Sequence, residues 1–273
     1  MNMFLTNVFL TTKIKTIIQK EWAEVFKNRL VLFTVAFLPL ILTAIPLGIL
    51  FSMRGDAGLQ AAAGSLPEQF SAFCPANLNS GDCFQVYMVS QFMIMFMLLP
   101  LAIPATISSY SIVGEKTTHS LEPLLATPIT TTELLVGKSL AAAIPAVLAT
   151  YAAFLVFALG AWILVPNKML LGALLDPRWL LAIFLVGPLM ALMAVNVSVM
   201  VSSRVNDPRV AEQLSMIVII PVMAIFLGQL AGLFVLNSQL ILISAVVLIV
   251  VDVVLTNLAV RLFQRENILT RWK

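Results

Sequence analysis

The stretch LAAAIPAVLATYAAFLVFALGAWILV, residues 140–165, contains no charged side chain. A helix needs about 20 mostly apolar residues to cross roughly 30 Å of hydrocarbon, so this stretch is long enough to span a membrane. Further apolar runs of similar length occur at residues 30–53, 84–110, 179–201, 214–236 and 240–260. These runs do not alternate apolar and polar residues as barrel strands do, and backbone groups in lipid must be hydrogen-bonded internally. The sequence therefore predicts an all-α integral membrane protein with six transmembrane helices.

The composition agrees with this fold class. The 273 residues are 60% hydrophobic and 11% charged, whereas a soluble domain has about 25% charged residues. The segments between the runs are too short for a second domain with its own core. We therefore expect residues 1–273 to form a single transmembrane domain, and any catalytic or motor domain to lie on another chain.

Lysine and arginine predict the orientation, because they accumulate on the cytoplasmic flanks of membrane spans. With the N-terminus inside, thirteen of them are cytoplasmic and three are external, at Arg54, Lys168 and Arg178. Both termini should thus lie in the cytoplasm, with the protein in the inner (plasma) membrane. This distribution also explains the net charge of +3 and forms no basic stripe for nucleic acid. A cleaved signal peptide is not expected, because the first run exceeds the usual apolar region of about 7 to 15 residues.

The first external loop, residues 54–83, contains both cysteines of the chain, Cys74 and Cys83. An external loop is in an oxidising environment in most bacteria, which allows a disulfide between them. Two unrelated free thiols are the alternative. A metal site is disfavoured, because two cysteines do not supply the four ligands of a structural zinc site.

Residues 11–29, which precede the first run, have a helical pattern. Ile14, Ile17, Ile18, Trp22, Val25 and Phe26 recur at helical spacing, with Lys13, Lys15, Lys20, Glu24 and Lys27 on the other side. This pattern predicts an amphipathic helix on the inner membrane surface. Its role is either to anchor the first span or to dock a partner.

The longest polar interruption is cytoplasmic, between the second and third runs. Residues 114–138 read GEKTTHSLEPLLATPITTTELLVGK. Residues 120–126 are compatible with a short helix that Pro128 ends. Thr130 and Glu133 then fit the capping box S/T-x-x-E, which begins a new helix that leads into the third span. We therefore predict a helical hairpin over residues 111–139.

This segment resembles the signature of the type-two ABC-transporter permeases, especially the sodium-efflux and multidrug-export branch. That signature runs E-K-x-x-G-T-L-E-P-L-L-A-T-P, with G-K before the next helix. It is matched here by Glu115-Lys116, by LEPLLATP at residues 121–128 and by Gly137-Lys138. His119 stands where glycine is usual, and Ser120 where threonine is usual. The amphipathic helix and six spans give the same order of parts as in that family.

The resemblance implies a permease subunit of an ATP-driven exporter, without a catalytic residue or cofactor of its own. ATP would be bound by a separate ABC ATPase subunit in trans, and two permeases would pair as a homodimer or heterodimer. The residues that the signature assigns to coupling with the ATPase are Glu115, Lys116, Ser120, Leu121, Glu122, Leu124, Leu125, Thr127 and Pro128.

Two other signals do not predict chemistry. Gly137-Lys138-Ser139 resembles the end of a P-loop, but the required first glycine is replaced by Thr132 and no strand precedes it. His119 is the single histidine, so neither an intramembrane metalloprotease nor a serine protease has the residues that it requires. The sequence thus disfavours a membrane-embedded enzyme.

Asp252 is the one acidic residue near the centre of a span. A charge there costs about 2.5 to 3.5 kcal/mol, so the side chain should face protein or water, with Asn196 or Asn257 nearby. It either contacts a substrate or ion, or makes a packing hydrogen bond. Two alternatives to the permease follow: a secondary transporter driven by an ion gradient through Asp252, or a membrane scaffold that transports nothing.

Overall fold

A computed structural model describes residues 2–53, 80–117, 129–165, 167–234 and 236–262. Within these ranges the chain is helical, without strands. The α-helices are α1 (Asn2–Val25), α2 (Arg29–Ser52), α3 (Ser80–Phe96), α4 (Leu99–Thr117), α5 (Thr131–Leu164), α6 (Lys168–Leu174), α7 (Pro177–Leu181), α8 (Gly187–Ser202), α9 (Pro208–Ser215), α10 (Ile220–Leu230) and α11 (Ser238–Leu262). A π-helical turn, Ala182–Val186, joins α7 to α8, and a 3₁₀ turn, Met216–Ile219, joins α9 to α10.

These helices form six segments that are long and apolar enough to cross a membrane. The prediction of an all-α integral membrane protein is confirmed. The second segment, Gly81–Thr117, is central: 72% of its most apolar window is buried inside the protein, against 17% for the first and the last segments. Large apolar side chains on α2, α5 and α11 point outward instead, as expected of helices that face lipid.

Small residues hold α4 against α8 at the centre of the bundle. Ala105 and Ala194 are completely buried. The hydroxyls of Ser109 and Ser198 lie 2.9 Å apart, and Ser198 also donates to the carbonyl of Ala105 at 3.2 Å. In a membrane, apolar side chains pack on lipid tails nearly as well as on another helix. Close packing of small side chains and hydrogen bonds between helices therefore supply the attraction.

Proline explains two irregular points within the spans. α3 ends at Phe96 and α4 begins at Leu99, because Pro100 has no N–H to donate back to the preceding turn. The π-helical turn precedes Pro188 in the same way, and the carbonyl of Phe184 accepts a hydrogen bond from the Tyr151 hydroxyl at 3.4 Å. The run predicted at 84–110 as one helix is thus two helices.

The fifth span begins and ends earlier than the apolar run at 214–236. Asp207 caps α9 by accepting from the N–H groups of Arg209 and Val210, and helix therefore starts in the polar segment before the run. At the other end Gly232 has a φ of 70°, and the N–H of Leu233 donates to the carbonyl of Gly228 at 2.9 Å. This is a Schellman C-cap, which ends the helix although the sequence stays apolar.

The two ends of the bundle differ in the elements that they carry. One end, called here the α1 end, holds α1 packed on the start of α5 and the end of α4. The opposite end holds α6 and the turn that follows α10, and there the guanidinium of Arg178 donates to the carbonyl of Leu236 at 3.1 Å. Described residues of the signature segment therefore lie at the α1 end.

Candidate functional site

Four charged side chains from three helices meet at the α1 end. Lys20 and Glu21 come from α1, Glu115 from the last turns of α4, and Lys138 from the start of α5. We call these four residues the ionic cluster. Glu21 and Glu115 are each 3% exposed and Lys138 is 5% exposed, while Lys20 is half-buried. Two carboxylates and two ammonium groups balance each other, which is the condition for charge to be tolerated in a protein interior.

Lys138 is the centre of the ionic cluster. Its Nζ lies 2.7 Å from Glu21 Oε1, 2.8 Å from Glu115 Oε2 and 2.9 Å from the hydroxyl of Ser111. Three oxygens therefore surround an ammonium that has three protons to donate. The hydroxyl of Ser111 in turn donates to Glu21 Oε2. A single side chain of α5 thus joins α1 to α4.

Lys20 closes the cluster on its outer side. Its Nζ donates to Glu115 Oε1 and lies 3.8 Å from Glu21 Oε1 and 3.6 Å from Glu24 Oε2. Burial lowers the pKa of the Lys20 ammonium, but the hydrogen bond to Glu115 and the charges of Glu115, Glu21 and Glu24 outweigh burial and raise it. Since an unfolded lysine has a pKa of about 10.4, the contribution of Lys20 to stability is complete at neutral pH and is lost only above that value.

Apolar packing supports the ionic contacts between α1 and α5. Ile17, Glu21 and Val25 lie one turn apart on α1, and all three are buried. Gly137 permits the approach, because a Cβ there would lie 2.8 Å from Ile17 Cγ2. The indole N–H of Trp22 donates to the carbonyl of Ala141 at 2.8 Å. The face of α1 with these residues therefore packs on protein.

The start of α5 has the capping box that the sequence predicts. The hydroxyl of Thr130 accepts from the N–H of Glu133 at 3.2 Å, and the Glu133 carboxylate accepts from the N–H of Thr130 at 2.7 Å. Lys13 of α1 lies 3.5 Å from Glu133 Oε1. The prediction of a helix start at Thr130 is confirmed, and α1 contacts this start as well.

Lys116, the neighbour of Glu115, contacts a different part of the bundle from the ionic cluster. Its Nζ donates to the carbonyls of Ser203 and Val205, each at 3.4 Å. These carbonyls belong to the turn between α8 and α9. Glu115 and Lys116 together connect the end of α4 with α1 and α5 on one side and with the fourth and fifth spans on the other.

Most of the predicted coupling residues lie outside the described residues. These are Ser120, Leu121, Glu122, Leu124, Leu125, Thr127 and Pro128. Glu115 and Lys116 are described, and the structure places Glu115 in the interior instead of on a surface for a partner. A buried carboxylate is tolerated at this position because Lys20 and Lys138 of the ionic cluster neutralise its charge. Any role of Glu115 in coupling would therefore be exerted by holding α4.

Asp252 lies in a separate cavity among α5, α8 and α11. The cavity has a volume of about 190 Å³, and Asn196 and Thr256 also line it. The amide of Asn196 donates to the hydroxyl of Thr256 at 3.0 Å. Asn257 is exposed and donates to the carbonyl of Val253. Of the two amides considered from sequence, Asn196 is thus the one that shares the cavity with Asp252.

Cys83, near the start of α3, is disulfide-bonded. Cys74 lies outside the described residues, so the pairing of the two stays a prediction. No group of three or more metal-binding side chains occurs in the part of the chain that the structure describes. Gly137, Lys138 and Ser139 lie within a helix, where they do not form a phosphate-binding loop.

Sequence reasoning did not name Glu21 or Ser111, and it named Lys20 and Lys138 without predicting that they pair with Glu115. A signal for Glu21 exists: it falls one turn after Ile17 and one turn before Val25, on the apolar stripe of the predicted amphipathic helix. A carboxylate in that position requires a buried partner. Ser111 has no comparable signal, because serine is common in membrane helices and its partners come from distant parts of the chain.

Comparison with known proteins supplies the family. Residues 15–242 match the model of a family described as ABC-2 family transporter protein. The match extends from α1 into the first turn of α11 and covers well over half of the chain. All four residues of the ionic cluster lie inside it, and Asp252 lies outside it. No curated protein matched the chain.

Proposed function

Because the chain belongs to the ABC-2 transporter family, a family of membrane permeases of ABC transporters, we propose that it couples to a separate ABC ATPase through residues 118–128. The chain is a transport component and not itself an enzyme. In this proposal two such subunits form the export pathway, and the partner subunit binds and hydrolyses ATP. The resemblance of residues 115–128 to the sodium-efflux and multidrug-export branch supports assignment to that branch and export as the direction.

The observation that carries the proposal is how the helices on either side of residues 118–128 are joined to each other. The helix before them ends at Thr117, two residues after Glu115, and the helix after them begins at Thr131 with a capping box. Lys138 connects both helices to each other and to α1 at distances below 3 Å. A force applied to residues 118–128 would thus reach the second and third spans directly.

The proposed cycle uses these connections. Closure of the nucleotide-bound ATPase subunits would move residues 118–128, and α4, α5 and α1 would follow as one unit. α4 is the central helix, so its displacement would change its packing on α8, where Ser109 and Ala105 of α4 contact Ser198. The energy for this change comes from a difference in affinity of the ATPase for the two permease conformations.

An open crevice beside the ionic cluster adds a contact surface. Its volume is about 430 Å³, and its lining includes Glu24, Asn28, Tyr110 and Glu115. Glu24 is exposed at its rim, so the crevice favours a basic group. We propose that it receives a lysine or arginine of the ATPase subunit next to residues 118–128.

The proposal requires the α1 end to face the cytoplasm, in agreement with the lysine and arginine distribution. A cysteine introduced at Arg204, at the α1 end, should be protected from a membrane-impermeant maleimide in intact cells. A cysteine at Lys168, at the opposite end, should react. Reaction at Arg204 and protection at Lys168 would reverse the orientation and remove the proposed site of coupling.

Capture of the ATPase tests the coupling itself. The tagged chain is purified from its native membranes in mild detergent, and the expected companion is a stoichiometric ATPase with Walker motifs. The double substitution Glu122→Lys with Leu125→Ala should lose it. Lys168→Gln, at the opposite end, is the matched control and should keep it. If wild type captures no ATPase, or the double variant captures it fully, this coupling proposal is wrong.

Asp252 keeps one alternative open, because a buried carboxylate suits a transporter driven by an ion gradient. Asp252→Asn should leave capture of the ATPase and coupling to ATP hydrolysis intact if the ABC mechanism holds. In a secondary transporter it should abolish transport, and an ion gradient should drive transport in wild type without ATP. Transport in sealed vesicles, with ATP or with a gradient, decides between these mechanisms.

A further inference from the structure

The carboxylate of Asp252 is buried and unpartnered. The residue is 8% exposed, and neither carboxylate oxygen has a hydrogen-bond partner among the described residues. Ten residues separate it from the end of α11 at Leu262, a rise of about 15 Å. This depth is near the middle of roughly 30 Å of hydrocarbon, where a carboxylate needs a cation or a proton.

Most of the accessible surface of the cavity beside this carboxylate is apolar, although five of its twelve lining residues are polar: Thr132, Ser139, Asn196, Asp252 and Thr256. Its lining includes Leu135, Leu140, Val199 and Ala259, from three different helices. The lining residues that the structure describes include no lysine, arginine or histidine. A water molecule needs about 10 to 15 Å³, so a cavity of about 190 Å³ has room for an organic group.

The cavity opens on the outer, largely apolar surface of the bundle. Val136, Leu192 and Thr256 line it and are exposed, and each comes from a different helix. α5 and α11 barely touch, so α8 forms the floor of the opening between them. A ligand could therefore enter from the leaflet at the α1 end without crossing the protein.

From this geometry we infer that the cavity binds a lipophilic amine, with its ammonium against Asp252 and its hydrocarbon chain along the apolar wall. Charge complementarity selects the amine: the carboxylate attracts a cation, and the apolar wall excludes a strongly hydrated one. Thr256 lies one turn from Asp252 and accepts from Asn196, and neither side chain donates a hydrogen bond to the carboxylate, which leaves it open to a ligand. Asp252 and Thr256 both lie outside the interval matched by the family model.

Binding of a radiolabelled dodecylamine to the purified chain in nanodiscs of neutral lipid tests this inference without the ATPase. Wild type should bind the amine saturably and more tightly than dodecanol, which has the same chain length and no charge. Asp252→Asn keeps the shape of the side chain and should weaken amine binding at least tenfold, because a charge-assisted contact is lost. Its affinity for dodecanol should change little.

Two further variants separate the cavity from the membrane surface. Leu192→Trp narrows the opening while Asp252 stays intact, and it should also weaken amine binding. Asn257→Ala removes a polar side chain from the same helix outside the cavity, and it should bind like wild type. Folding of each variant is checked by its elution profile and helical circular dichroism.

Three outcomes would overturn the inference. The first is that wild type shows no saturable binding above empty nanodiscs, and the second is that Asp252→Asn binds the amine as tightly as wild type. Displacement of the amine by millimolar sodium, but not by N-methylglucamine, would assign the cavity to a small metal cation. Because these measurements use the chain alone, they are independent of whether the proposed ATPase coupling holds.

Discussion

Replacement of Lys138 by methionine is the sharpest test of the ionic cluster. The change keeps most of the apolar stem and removes the ammonium that lies 2.7 Å from Glu21 and 2.8 Å from Glu115. Lys20 then remains as the only cation of the cluster for two buried carboxylates. Removing one partner of a buried ion pair typically costs about 3 to 5 kcal/mol. The equilibrium between docked and detached α1 should therefore shift roughly a hundredfold to several thousandfold.

Trp22 reports on this equilibrium, because its indole N–H is hydrogen-bonded to Ala141 of α5. The measurement is tryptophan emission during thermal unfolding, in a background where the other three tryptophans are replaced by phenylalanine. Lys138→Met should shift the emission of Trp22 to longer wavelength at a lower temperature than in the parent. Hydrogen exchange of α1 amides should become faster in the same variant.

Charge balance provides the control and the rescue. Lys15→Met removes the same charge from an exposed position of α1, and it should leave the Trp22 transition near that of the parent. Glu21→Gln combined with Lys138→Met leaves Glu115 paired with Lys20, so the double variant should recover much of the lost stability. The reasoning is refuted if Lys138→Met behaves like Lys15→Met, or if the double variant is no more stable than Lys138→Met.

Three further substitutions test two contacts beside the ionic cluster and the C-cap at the opposite end of the bundle. Gly137→Leu should detach α1, because the Cβ alone would lie 2.8 Å from Ile17 Cγ2. Adding Ile17→Ala should restore the Trp22 signal in part. If α1 stays docked in Gly137→Leu, the close packing of α1 on α5 is contradicted. Thr130→Ala removes half of the capping box and should cost about 1 kcal/mol, seen as faster hydrogen exchange in the first turn of α5, whereas Thr130→Ser should not. Gly232→Ala places a Cβ at a φ of 70° and should lower the melting temperature through a loss of about 1 kcal/mol; an unchanged temperature would argue against the Schellman cap.

The apolar runs predict the number of spans, but they do not predict where the helices end. Hydrophobicity marks the part of a helix that faces lipid or the core, while helix ends depend on caps and on the first residue that cannot continue. α4 therefore runs on to Thr117, beyond charged Glu115 and Lys116, because those charges have partners at the α1 end. α10 stops before the apolar run does, because Gly232 takes a left-handed conformation.

The candidate site, too, could be predicted from sequence only in part. Thr130 and Glu133 lie three residues apart, so their capping box could be predicted from sequence and is confirmed. Glu21, Ser111 and Lys138 are separated by up to 117 residues, and no local pattern states which carboxylate an internal lysine will meet. The sequence placed the charges of this segment on a surface, and their pairing in the interior became visible only when three helices were seen together.

The position of Glu21 on the apolar stripe of α1 explains how the ionic cluster fixes the position of α1 against α4 and α5. A stripe made only of residues such as Ile17 and Val25 would pack on lipid nearly as well as on protein, because hydrocarbon offers similar apolar contacts. Glu21 removes this freedom: it is stabilised where Lys138 and Ser111 meet it, and facing lipid it would be an unpaired charge. α1 is thus fixed at one rotation and one height against α4 and α5. An element that has to move with both helices needs such a directional contact more than it needs additional apolar area.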